Sequence, residues 1–278
     1  MTQRQIPLAG VIGSPIAHSK SPRLHGYWLR RYMLPGHYVP MDISHDDLAE
    51  ALRLLPRIGF VGLNVTIPHK ETVIGLADNV SDRASLIGAA NTLIFQKDGK
   101  ILADNTDGIG FLKNLEQAVP GWRADAGPVT VLGAGGAARA VLTALLQAGA
   151  QEIRLCNRTR ARSEALRAEF GQKIVVHDWV QAGNAIEGAK TLVNTTSLGM
   201  DGKQEFRVPL DALSPDMVVS DLVYAPLDTT LLKSARAAGC ACVDGLGMLL
   251  HQAAPGFERW FGVKPEVDDA TRAAVLGP

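Results

Sequence analysis

Residues 128–138 read Pro128-Val-Thr-Val-Leu132-Gly133-Ala-Gly-Gly-Ala-Ala138, and the succession of elements that begins there decides the fold. An apolar, β-branched run ends directly in a glycine turn. A stretch of helix formers at 137–148 comes next, closed by Gly149, and a second apolar run occupies 152–156. Strand, glycine turn, helix and strand in that order make the first unit of a dinucleotide-binding fold. Gly133 permits the tight turn, Gly135 lets a pyrophosphate approach the backbone, and Ala138 is small enough for close packing of helix on strand. Unpaired N–H groups at the helix start then face the phosphates, so Gly133, Ala134, Gly135, Gly136 and Ala137 are the candidate cradle.

The end of the second strand indicates which nicotinamide is bound. An NAD site usually offers a carboxylate there, to the ribose 2′-hydroxyl. This chain offers Asn157-Arg158-Thr159, then Arg160 and Arg162. Guanidinium groups match a phosphate bidentately and stay charged. Cations at a helix start are unfavourable unless an anion joins them. The expected cofactor is therefore NADP, its 2′-phosphate near Asn157, Arg158, Thr159 and Arg162.

Working outward, strand-like runs at 191–194 and 217–221 extend this sheet, 229–238 reads as a helix, and the chain from Gly245 onward reads as helical. Before residue 128, strands are expected at 8–13, 37–43 and 62–67 and helices at 22–31 and 46–55. A hairpin, 92–96 with 100–104, turns at Lys-Asp-Gly, and a helix spans 106–119. Pro120-Gly121 and the polar stretch to Gly127 mark a junction. Alternation of strand and helix over almost the whole length predicts a parallel α/β architecture.

The chain has 278 residues, enough for two ordinary domains. Lys+Arg and Asp+Glu are both 28, so nothing favours nucleic acid or an anionic membrane. No apolar run approaches the length of a spanning helix, and residues 1–7 lack a secretory leader's pattern; a cytoplasmic protein is expected. Cys156, Cys240 and Cys242 form no ligand or redox spacing and read as reduced structural thiols, with Cys240 and Cys242 on opposite faces of a strand-like stretch. No metal-ligand spacing links the histidines.

Ketone reduction by hydride transfer needs a proton donor at the developing alkoxide. Lys70, in Asn64-Val-Thr-Ile-Pro-His-Lys70, and Asp107, in Asp104-Asn-Thr-Asp-Gly108, stand at strand-end loops, where α/β proteins bind ligands. A solvated lysine and a helix-capping aspartate are the plain readings of the same residues. Ser19-Lys-Ser21-Pro22 precedes a helix, where hydroxyls and free N–H groups hold a carboxylate or simply cap.

These segments, with Gly88-Ala-Ala-Asn-Thr92, Gly133-Ala-Gly-Gly-Ala137, Asn157-Arg-Thr159 and Asp244-Gly-Leu-Gly-Met-Leu249, occur in the order seen in shikimate dehydrogenases, and the chain resembles that family over nearly its whole length. The resemblance implies an α/β fold of two domains, with a cleft between them: a substrate-binding domain, 1–106 completed by 245–278, and a Rossmann-type NADP-binding domain, 107–244. It implies that Lys70 exchanges the proton at the ring oxygen and that Asp107 orients it. Ser19 and Ser21 match the carboxylate ligands, and Thr66, Asn91, Tyr224 and Gln252 match positions around the ring. Leu222, Gly245 and Met248 match residues bordering the nicotinamide. Gly26 and Ala90 depart from common asparagine and valine, and neither removes a polar group from the site.

The implied activity is reversible NADPH-dependent reduction of 3-dehydroshikimate to shikimate, by a monomer or homodimer. The rivals are a quinate/shikimate or aminoshikimate dehydrogenase and a non-catalytic NADP-binding sensor. Quinate specialists tend to alter the second serine and to place an acidic residue at the strand end; this chain has Ser21 and Arg158. A sensor has no need of Lys70 with Asp107.

Overall fold

Twelve strands and ten helices alternate along the computed structural model, which describes residues 6–277. The amino-terminal segment read for a leader lies mostly outside the described residues. The strands are β1 (Leu8–Gly13), β2 (His37–Asp42), β3 (Phe60–Val65), β4 (Asn79–Val80), β5 (Thr92–Phe95), β6 (Ile101–Asp104), β7 (Val129–Leu132), β8 (Ile153–Asn157), β9 (Ile174–Asp178), β10 (Thr191–Asn194), β11 (Val218–Asp221) and β12 (Ala241–Val243). The helices are α1 (Ser21–Arg31), α2 (Leu48–Leu54), α3 (Asp82–Ile87), α4 (Asp107–Ala118), α5 (Gly136–Gln147), α6 (Arg160–Phe170), α7 (Ala182–Ile186), α8 (Thr230–Ala237), α9 (Gly245–Phe261) and α10 (Asp269–Leu276). The chain divides into two units, Met1–Asp107 with Leu249–Pro278, and Gly108–Met248.

The first unit holds a six-stranded sheet in the order β2-β1-β3-β5-β6-β4. It is mixed rather than parallel. β1 pairs in parallel with β2 and β3, but β5 is antiparallel to both β3 and β6. The cause is the hairpin: a short turn can join strands only when they run oppositely. Its register aligns Asn64 with Thr92 and Thr92 with Asp104. The chain therefore leaves β3, enters β5 and leaves β6 at one level of the sheet. Leu63, Val65, Leu93 and Ala103 bury one face with Leu48 and Leu52. Tyr38 and Trp260 pack the other with Ala9 and Val11.

The second unit is a parallel sheet in the order β12-β11-β10-β7-β8-β9. Sequence order reverses between β7 and β10, the switch point at which such sheets bind ligands. Every residue of β7 is buried, as expected of a central strand covered on both faces. One face packs on Val141, Leu145 and Leu155, the other on Ile186, Leu192 and Leu231. Cys240 and Cys242 both pack against that second layer, which corrects the expectation of opposite faces: residues two apart along a strand share a face. Among the described residues no helix is long and apolar enough to cross a membrane, and no cluster of His, Cys, Asp or Glu could hold a metal.

Candidate active site

The register of the first sheet brings polar residues from distant parts of the chain to one edge. Lys70 lies beyond the end of β3, Asn91 immediately precedes β5, and Asp107 comes shortly after β6. Lys70 Nζ donates to Asp107 Oδ2 at 2.6 Å, with side chains 20% and 6% exposed. The other carboxylate oxygen, Oδ1, accepts from Asn91 Nδ2 at 2.8 Å, and the backbone N–H of Asp107 donates to Asn105 Oδ1 at 3.0 Å. Both oxygens are engaged, each with a lone pair to spare, so Asp107 serves as the fixed partner of an ammonium and can still accept a further donor.

Asn91 is the hub. Its amide also donates to Gln252 Oε1 at 2.9 Å and Thr106 Oγ1 at 3.0 Å. Its Oδ1 accepts from the N–H of Thr106 at 2.9 Å, while Thr106 Oγ1 donates to the Gln252 carbonyl at 2.7 Å. Arg83 and Ser81 anchor Asp104 below this group, through Arg83 Nε and Ser81 Oγ at 2.6 Å each. Burial would raise the Asp104 carboxyl, but these bonds outweigh it and hold the group below its ordinary value. An ammonium has three donors. Among the described residues Asp107 is the partner of Lys70 Nζ, which leaves N–H groups for a further oxygen.

Ser21 is buried and opens α1 without capping it, whereas Ser19 Oγ accepts from the Ser21 N–H at 3.3 Å. Beside them Tyr38 donates to Asn64 Oδ1 at 2.7 Å. Burial raises the Tyr38 phenol well above its usual value, with a hydrogen bond from Ser21 opposing. Thr66 is half-buried, its N–H bound to the Ile12 carbonyl at 2.9 Å, so the loops after β1 and β3 run side by side.

In the second unit a cavity of about 350 Å³ opens over the switch point, lined in part by Gly133, Ala134, Gly135, Asn157 and Arg158. Gly133 has φ +108°, and a Cβ there would stand 2.6 Å from Thr195 Oγ1. At Gly135 a Cβ would meet nothing within 4 Å, so the space above the turn is open to a ligand. The basic residues of this rim are not equivalent. Arg160 is tied to Asp178 at 2.7 Å and Glu164 at 2.9 Å. Among the described residues Arg158 Nη1 donates only to the neutral Gln204 Oε1, at 2.8 Å. Among the described residues neither Arg158, Arg162 nor Lys203 has a carboxylate partner, so their charge remains for an outside anion. A glycine cradle beside uncompensated cations fits a phosphorylated dinucleotide.

Three family models match in succession: "Shikimate dehydrogenase substrate binding domain" over residues 11–93, "Shikimate / quinate 5-dehydrogenase" over 116–199, and "Shikimate 5'-dehydrogenase C-terminal domain" over 245–276. A shikimate dehydrogenase (NADP(+)) of Cereibacter sphaeroides is 72% identical over 272 residues, covering 98% of each chain. The chain belongs to the shikimate dehydrogenase family. A solved family member from Thermus thermophilus, in complex with NADP(H) and shikimate, is 36% identical with a TM-score of 0.86, over 96% of this chain and 98% of that one. Quinate dehydrogenase from Corynebacterium glutamicum, in complex with NAD, reaches a TM-score of 0.90 at 32% identity, over 97% of this chain and 98% of that one. The fold is thus similar to that of both a shikimate and a quinate enzyme.

Of the residues predicted for the substrate, Lys70, Asp107, Asn91 and Gln252 form one bonded group, Ser19 and Thr66 lie on the adjoining loops, and Ser21 opens α1. Tyr224 belongs to the second unit, half-buried, with its phenol raised by burial. Among the cofactor residues, Gly136 and Ala137 form the first turn of α5, and Thr159 and Arg162 stand at the start of α6. Leu222 and Gly245 are in contact: a Cβ on Gly245 would stand 2.2 Å from the Leu222 carbonyl. Met248 packs in the core with Leu222 against it.

The sequence reading missed Thr195, Thr196, Ser197, Leu198, Trp179, Lys203 and Gln204, which complete the cavity lining. Asn194-Thr-Thr-Ser-Leu198 comes directly after an apolar strand, and that polar run at a strand's carboxyl end was the available signal. Its shape is set internally: Asn194 Oδ1 accepts from Thr196 N at 3.0 Å and Oγ1 at 2.7 Å, and Thr195 Oγ1 donates to the Leu132 carbonyl at 2.7 Å.

Proposed function

We propose that this chain is an NADP-dependent shikimate dehydrogenase, catalysing the reversible reduction of 3-dehydroshikimate to shikimate in aromatic amino-acid biosynthesis. The observation that carries this is the Lys70 ammonium, held at 2.6 Å by a carboxylate whose other oxygen is itself bonded, with donors to spare. NADPH, when bound, supplies the hydride, and the chain's residues do the rest. Lys70 gives its proton to the ketone oxygen as negative charge develops there, and in the reverse direction takes the hydroxyl proton. Asp107 keeps the ammonium in place, stabilises its charge and reaches a neighbouring hydroxyl. Asn91 holds Asp107 and is bonded in turn to Gln252, and both border the ring with Thr66.

On this reading residues 1–106 with 245–278 hold the substrate and 107–244 hold the cofactor. Leu222, Tyr224, Gly245 and Met248 border the nicotinamide and ring, and the enzyme works in the cytoplasm as a monomer or homodimer. Turnover measured with shikimate and with quinate, each with NADP⁺ and NAD⁺, tests the assignment. Highest kcat/KM for shikimate with NADP⁺ is expected; a preference for quinate with NAD⁺ would move the chain to the quinate specialists, and no turnover would favour a sensor.

The hydroxyls of Ser19 and Ser21 bind the ring carboxylate. Ser21 does not cap its helix, so its removal leaves α1 intact. Loss of a hydrogen bond to a charged group costs about 1.5–3 kcal/mol, so Ser21→Ala should raise KM for shikimate about ten- to hundredfold. The dissociation constant of NADP⁺ should not move. An unchanged KM in the folded variant would remove this serine from the site.

A further inference from the structure

The loop after β10 carries Lys203 and Gln204, which no motif accounts for. Its fold is closed at the base, where the Gly199 N–H donates to the Gln204 carbonyl at 2.8 Å and the Lys203 N–H to that of Met200 at 3.0 Å. From this base Gln204 Oε1 accepts from Arg158 Nη1 at 2.8 Å. The two side chains come from different strand ends and, with Trp179 and Leu198, separate the glycine-floored cavity from a neighbouring one of about 490 Å³. The adjacent carboxylate, Glu205, is occupied elsewhere, paired with Arg207 at 3.1 Å.

We propose that Gln204 is a specificity-determining residue for NADP: it aims the Arg158 guanidinium at the 2′-phosphate while leaving its charge uncancelled. This rests on the reading of Arg158 as a 2′-phosphate ligand. A guanidinium on a flexible stem loses rotamer freedom when it binds, and a neutral acceptor that already fixes it removes part of that cost. The acceptor must be neutral. A carboxylate at the same place would orient Arg158 equally well but neutralise it and repel the phosphate. Only one of the five guanidinium donors is used by the amide, so the remaining edge is free for a bidentate contact.

Dissociation constants for NADP⁺ and NAD⁺ measured by calorimetry at fixed ionic strength test this, without any turnover. Gln204 is exposed, so its variants should fold normally. Gln204→Leu, which removes the acceptor, should weaken NADP⁺ about three- to tenfold. Gln204→Glu should weaken it more, about ten- to hundredfold, with NAD⁺ held within about twofold in both. Arg158→Ala separates the two layers of the inference. If Arg158→Ala selectively weakens NADP⁺ while both Gln204 variants bind like the parent, the role of Gln204 is overturned and the 2′-phosphate reading stands. If Arg158→Ala weakens both cofactors alike, the 2′-phosphate lies elsewhere and both fall. Equal weakening of NADP⁺ and NAD⁺ by the Gln204 variants would make the residue a plain wall of the cavity and also overturn the proposal.

Discussion

Lys70→Ala should lower kcat about 10²- to 10⁴-fold, the range for a positioned general acid–base group, while the dissociation constant of NADP⁺ stays at its parent value. Lys70 and Asp107 belong to the first unit and the glycine cradle to the second, so cofactor binding reports on the fold of the second unit and circular dichroism on that of the whole. The loss should fall on kcat more than on KM, since the proton moves only in the transition state. Asp107→Asn should also impair turnover, for a specific reason. The new amide keeps an oxygen for Asn91 Nδ2, but its NH₂ then faces Lys70 Nζ, donor against donor, where a 2.6 Å bond stood. The ammonium is driven from its position without being removed. The double variant should therefore lose less than the product of the single losses, as groups that act as a unit do. Full additivity would assign the two residues separate tasks, and a near-normal kcat in Lys70→Ala would end the mechanism.

The cofactor cradle could be read from the sequence because its parts are local: a β-branched run, a glycine turn and a helix closed by glycine lie within 22 residues, 128–149. The strand ends that carry Lys70 and Asp107 were visible for the same reason. Asn91 was found only through the family motif as a residue around the ring; its role as the hub holding Asp107 was not legible. That role arises from the pairing of Asn64 with Thr92 and of Thr92 with Asp104, a long-range register that turn chemistry alone did not announce. β4 has only two residues and exists by pairing with β6; β9 is an edge strand with mostly half-buried positions and gives a weak apolar pattern.

The arginines show the same limit. Sequence reading chose Arg158 and Arg162 from the basic helix start by position and by the family motif, without the reason that sets Arg160 apart. That reason is partly local, Glu164 one turn on, and partly long-range, Asp178 at the end of β9. Lys203 and Gln204 were silent because an exposed polar loop has no period to read, and it acquires meaning only where β10 ends beside β7.

Acid should destabilise this protein earlier than its carboxylates require, and His25 is the reason. His25 is fully buried on α1, its ring stacked on Tyr38 at 3.9 Å and edge-on to Trp28 at 5.6 Å. Burial lowers its pKa from 6.5 to about 3, and neither ring nitrogen has a hydrogen-bond partner among the described residues. The folded state therefore binds the proton more weakly than the unfolded chain. Stability from this residue is complete above the unfolded value and is lost as pH falls from 6.5 toward 3. The loss should reach about 2 kcal/mol between pH 7.5 and 5, and about 4 kcal/mol by pH 3. Carboxylates held low in the fold, such as Asp104, act below the ordinary value of 3.8. The buried Asp221 carboxyl is raised and would add stability as pH falls, so the loss between pH 6.5 and 5 is assigned to His25. His25→Phe keeps an aromatic ring among Trp28, Tyr38, Phe257 and Trp260 and removes the titration. Urea unfolding at pH 7.5, 6 and 5 should show the parent losing stability with slope approaching about 1.4 kcal/mol per pH unit, and His25→Phe nearly level over the same interval. Parallel slopes in the two proteins would mean that His25 accepts its proton inside the fold at little cost, and that the acid sensitivity originates elsewhere.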